Sequence, residues 1–162
     1  MTAWRDWLAW LERAPFAAAM RESPWLYPSV ETAHILGFVV LVGAAAMFDL
    51  RLLGVSRHLP VDETARHLLP WSRASLFLVV PTGLLLFASD AAATWANPAF
   101  RLKMLLLICA GGNALIFHRS TFRTVAAWNR DRPTPARAKG AAIASLLLWT
   151  GVISCGRLIA YF

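Results

Sequence analysis

Hydrophobic positions gather into four runs, Ile35 to Phe48, Ala74 to Ala88, Met104 to Phe117 and Gly140 to Ser154, separated by stretches rich in charge and proline. None carries the sustained polar stripe of a helix that faces water. Crossing the hydrocarbon core of a bilayer takes about 20 residues. Each run is shorter than that and must draw in weakly polar flanks, which predicts four spans over residues 29–51, 66–90, 101–119 and 139–161. Ahead of them, Trp4, Trp7, Leu8 and Leu11 recur at helical spacing with Arg5, Asp6, Glu12 and Arg13 between them. That pattern predicts an amphipathic helix in the membrane interface within segment 1–27, with a partner-binding arm as the alternative. Acidic residues and tryptophans interrupt any apolar signal core, so the segment does not read as a signal peptide. The predicted fold is all-α: an integral membrane four-helix bundle over residues 28–162 with an N-terminal interfacial helix.

Composition agrees with lipid as the solvent, since 58% of the 162 residues are hydrophobic and the mean hydropathy is +0.53. The loops after the first and third spans hold nine Lys and Arg residues, against five in the N-terminal segment and second loop. The positive-inside rule then places both chain ends outside the cytoplasm of a bacterial inner membrane. The net charge of +7 follows from loops held near anionic lipid, so nucleic acid is not an expected partner. Cys109 and Cys155 form no CxxC pair and read as small hydrophobes.

Ionisable groups inside spans are costly and mark a functional interior or a pairing network. On the outer side lie Glu31, His34, Lys103 and Arg157; on the inner side lie Asp49, Arg51, His67, Arg73 and His118. Glu31, His34 and Gly37 share one helix face, and a glycine one turn from a histidine leaves room for something flat. A packing alternative pairs Glu31 with Arg157 in a buried charge network with Lys103 and Asp49. On the inner side, antiparallel neighbours bring the start of the second span beside the end of the third. His67 and His118 then reach similar depth, the arrangement of a bis-histidine b-type haem. Gly111 shares the face of His118 and clears space for the ring, while Arg73 or Arg119 meets the propionates. His58 reads as solvated. Pro81 predicts a kink, Gly83 a close helix crossing and Asn113 an interhelical hydrogen bond.

The stretches "ETAHILGF…FDLRLLG", "PTGLLLFASDA…NPAFRLKMLLL" and "GRLIAYF" resemble a family of small bacterial inner-membrane proteins of unknown function, from Tyr27 onward. Architecturally the chain is similar to the haem b-containing protoporphyrinogen oxidase family and the copper-resistance D-type membrane proteins, which also have a histidine early in a glycine-containing first span. The oxidase likeness extends to a proline and glycine in the second span and a lysine opening the third, here Pro81, Gly83 and Lys103. It implies a haem site around His34. The chain departs from the oxidases at "FDLRLLG", which weighs against their activity and leaves haem binding as the more portable implication.

The leading expectation is a cytochrome b-like protein holding haem b on His34, or on His67 and His118. It would relay electrons to or from a quinone or an extracytoplasmic redox partner, with homo-oligomers conceivable and no catalytic residue assigned. The alternatives are a membrane enzyme acting on a porphyrin or quinone, and a transport or structural accessory subunit. Copper handling ranks lower, because the methionines form no spaced ladder of soft ligands.

Overall fold

Satisfying every backbone N–H and C=O within one segment is what lipid demands, and long helices meet that demand. In a computed structural model, which describes residues 3–161, four helices are long and apolar enough to cross a membrane: α3 Leu26–Leu53, α4 Val61–Ser89, α6 Pro98–Arg119 and α7 Ala136–Leu158, the last continued by a 3-10 turn to Tyr161. The chain is therefore a multi-pass membrane protein built as an all-α bundle. The helices outrun the apolar segments read from sequence because regular hydrogen bonding continues through the polar flanks. The N-terminal segment forms two helices rather than one, α1 Ala3–Glu12 and α2 Pro15–Glu22, because Pro15 starts the second where its missing N–H costs nothing. A short α5, Ala91–Ala96, joins α4 to α6.

The bundle is lopsided. α3 packs along α4 and also against α7, and α7 packs along α6, whereas α4 and α6 scarcely meet. Their one aromatic bridge is the stack of Phe87 on Phe100, with centroids 5.3 Å apart. α3 and α4 approach closely because Gly37 has no side chain: a Cβ there would lie 2.9 Å from Val79 Cγ2 and 3.2 Å from Leu78 Cδ2. The space expected beside Gly37 for a flat ligand is thus filled by α4. A Cβ on Gly111 would meet nothing within 4 Å, so that glycine does open space.

The two poles are closed differently. At the pole away from the termini, Phe48, Phe117 and Trp128 join Leu52, Val61 and Ala142 in a buried cluster, and Phe48 contacts both Phe117 and Phe122 edge-on. Arg51, nearly fully buried, ties the connections there, donating from Nε to Leu59 O at 2.6 Å and from Nη2 to Arg57 O and Asn129 O at 3.1 Å each. Asn129 in turn exchanges side-chain hydrogen bonds with Asp62, donating to Oδ1 at 2.7 Å and accepting from its N–H at 3.0 Å. At the terminal pole, Arg21 donates to Ser89 O at 3.0 Å and Glu12 O at 2.8 Å, and Glu12 accepts from the Ala92 N–H at 2.7 Å. These contacts hold α1 and α2 against the bundle with Trp4, Trp7 and Trp10 exposed, as membrane-interface anchors would be.

Two measurements check this account. Gly37→Val should destabilise the detergent-solubilised protein by about 1–3 kcal/mol through overpacking, read as a lowered thermal midpoint, while Gly111→Val should add no such clash. Arg51→Leu strands three carbonyls that a charged donor now serves, and should cost about 1.5–3 kcal/mol.

Candidate functional site

Between the α3–α4 pair and the α6–α7 pair lies a cavity of about 1670 Å³. It extends from α1 at the terminal pole to the aromatic cluster at the other. All four long helices line it, and most of its wall is apolar and aromatic. Membrane bundles place ligand sites in such spaces between helices.

His34 sits at the terminal-pole half, positioned by α4. Its Nδ1 lies 3.1 Å from Val79 O and 3.0 Å from Thr82 Oγ1. Thr82 is itself turned inward, donating to Leu78 O at 2.5 Å. Because Leu78 O already takes the hydroxyl proton and Val79 O can only accept, the consistent tautomer carries hydrogen on Nδ1. Nε2 then holds a lone pair; it makes no hydrogen bond and is not sealed off. Gly83 makes the ring's position possible, since a Cβ there would stand 3.0 Å from His34 Cε1. Phe38 stacks along the same face, with centroids 6.5 Å away, and meets Trp149 of α7 edge-on at 5.9 Å. The sequence offered no role for Trp149; its wall position depends on how α7 is rotated against α3.

Glu31, Lys103 and Arg157 line the same half. The expected pairing of Glu31 with Arg157 is absent: among the described residues the ion pairs are Arg66–Asp62 and Arg130–Asp131, both near the other pole. Arg157 donates instead to the Tyr161 hydroxyl at 2.8 Å and lies over that ring. The Lys103 ammonium lies beside Gly156, 3.8 Å from where a Cβ would be. The buried charge network expected of Glu31, Arg157, Lys103 and Asp49 is therefore not assembled. One turn of rise every 5.4 Å puts Asp49 about 22 Å from His34 along α3, at the opposite end of the cavity.

The inner histidine pair is not brought together on the cavity wall. His118 lines the cavity, with Nδ1 2.8 Å from Ala114 O and Nε2 buried without a partner. His67 is exposed and lies outside that lining. Helix depth was legible from spacing, but rotation about the helix axis was not, and rotation decides which way His67 points. Arg73 lines the cavity between the two halves, as do Gly111 and Asn113. Asn113 donates to Ala141 O at 2.9 Å, the interhelical bond expected of it. His58 is exposed.

A family described as of unknown function (DUF6644) matches residues 25–162, and the chain belongs to it. That match covers the whole four-span bundle and leaves α1 and α2 outside. No curated protein and no solved structure matches the chain, so the comparisons lend no support to the expected likeness to haem b oxidases and copper-resistance proteins.

The histidine environments differ enough to be read chemically. Diethyl pyrocarbonate acylates accessible unprotonated imidazole nitrogens, so mass-spectrometric mapping should find His58 and His67 modified first, His34 more slowly and His118 last. Rapid modification of His118, or complete protection of His34, would contradict the arrangement described.

Proposed function

We propose that this protein binds a b-type haem in the terminal-pole half of its cavity, held by His34 Nε2, and relays electrons to or from a quinone or an extracytoplasmic redox partner of a bacterial inner membrane. The observation that carries the reading is the fixed His34 ring: Nδ1 faces Val79 O and Thr82 Oγ1, leaving Nε2 without a partner. A hydrogen bond from the far ring nitrogen to a carbonyl is how proteins orient an imidazole and raise its basicity toward a metal. The surrounding residues suit the group in two further ways. Phe38, Trp149 and the apolar walls accept a flat, conjugated ring, and Lys103 and Arg157 supply two cations, neither in an ion pair among the described residues, for two propionates. When bound, haem supplies reversible one-electron chemistry tuned by its axial ligand and burial. Loop charge favours both chain ends outside the cytoplasm, which puts this half of the cavity near an extracytoplasmic redox partner, while its open flank gives a membrane quinone access. The pairing of His67 with His118 as a second haem site loses support from the outward position of His67.

A second reading, a membrane enzyme acting on a porphyrin or quinone, draws on the same unpaired charges. Among the described residues Glu31, Lys103 and Arg157 form no ion pair and could grip a charged substrate.

Optical spectra of the detergent-purified protein, air-oxidised and then dithionite-reduced, separate the readings. The expected result is a b-type reduced spectrum that survives His67→Ala and disappears in His34→Ala. Thr82→Val, which removes one support of the ring, should weaken haem retention by roughly ten-fold or more. A colourless, folded parent purified from cells given ample haem would remove the cytochrome reading and leave the enzyme.

A further inference from the structure

We infer that the end of the cavity beside the aromatic cluster is a proton-binding site centred on the Asp49 carboxyl. Asp49 is 6% exposed, lines the cavity, and its Oδ2 is buried with no hydrogen-bond partner. Among the described residues no cation stands within ion-pair distance of it. A carboxylate buried in this way has no counter-ion to offset its lost hydration. It is accommodated when it carries a proton.

The groups that face it from the packed helices agree with that occupant. The parallel register that sets Phe48 beside Phe117 sets Asp49 level with His118 of α6. His118 presents a second buried and unpartnered atom, Nε2, because its Nδ1 is turned to Ala114 O. α7 offers the Ser145 hydroxyl as a polar neighbour and no titratable side chain at this level of the cavity. α4 contributes Arg73, which lies nearer the middle of the cavity and forms no ion pair with Asp49. Arg51, two residues along α3, is turned away into the loop carbonyls. The pocket therefore presents the unpartnered lone pairs of Asp49 Oδ2 and His118 Nε2, with the Ser145 hydroxyl as a neutral donor beside the carboxyl. One carboxyl and one imidazole are too few ligands to replace the six to eight oxygens around a dehydrated calcium ion or the four of a closed zinc site, whereas a proton needs only one. Lying about 22 Å along the helix axis from His34, the site stands toward the opposite membrane face. It does not depend on haem being the ligand at the other end.

Dicyclohexylcarbodiimide tests this in the intact protein. The apolar reagent adds to a protonated carboxyl: the carboxyl proton passes to one carbodiimide nitrogen and the acyl group ends on the other, giving an N-acylurea with no leaving group. The expected result is an adduct on Asp49, mapped by mass spectrometry, with yield falling about ten-fold or more from mildly acidic to alkaline pH. Glu31, exposed at the other pole, is the internal comparison and should label poorly. An infrared protonated-carboxyl band, shifted by deuterium oxide and missing in Asp49→Asn, should accompany it. Absence of that band from the folded parent at mildly acidic pH would overturn the proposal. Protection of Asp49 by sodium ions would do so as well, assigning the pocket to an alkali cation instead.

Discussion

The close crossing of α3 over α4 is the contact on which the rest of the arrangement depends. Lipid tails are as apolar as leucine, so helices in a membrane gain little from burying apolar surface against each other and associate through tight packing instead. Gly37 and Gly83 are two points where this pair comes especially close, the first taking Leu78 and Val79 against the α3 backbone and the second taking the His34 ring. Because α3 commits one face to α4 and another to α7, α4 has no contact left to make with α6 below the Phe87–Phe100 stack. The cavity follows from that commitment. A bundle in which α4 and α6 also closed would have an apolar core and nowhere to put a ligand.

The poles then divide the work. At the pole away from the termini, the loop polar groups are tied up by structure, with Arg51 serving loop carbonyls and Asn129 bonding Asp62, while beneath them only Asp49 Oδ2 and His118 Nε2 of the cavity-lining residues described stay buried without a partner. At the terminal pole the polar side chains are left free. Among the described residues Glu31 and Lys103 make no side-chain ion pair, and Arg157 spends one donor on Tyr161. Unpaired charges in a membrane protein are expensive, and here they gather at one end of an apolar cavity.

The bundle was legible because its cause is one-dimensional: run length, the position of prolines and the loop charges are all properties of the chain read in order. Gly83 and Asn113 were legible for the same reason, since a small or polar residue in an apolar helix has few things to do. What escaped was rotation and register. Gly37 was read as a vacancy and is a contact, because the sequence does not say whether the space over a glycine is filled by a neighbour. His67 and His118 were matched in depth, but only the second faces inward. Arg51 stood out as an ionisable group at the inner end of the first span, but nothing local says what it binds. Its role depends on Asn129, 78 residues away, brought near only when α6 and α7 have packed.

The unpartnered polar atoms of the interior follow from these same contacts. Exposed pairs such as Arg66–Asp62 cost little to form and contribute little, typically below about 1 kcal/mol. Inside, where a pair would count for more, Asp49 and the cations of the terminal pole are held about four helical turns apart along the bundle and cannot neutralise each other. The rigid α3 helix that positions His34 on α4 also carries Asp49 to the far end, so the separation is fixed by the fold and does not relax. An interior polarised in this way favours negative charge entering at one end and positive charge at the other. The proposed anionic ring near the terminal pole and the proposed proton near the opposite one would each draw on that division.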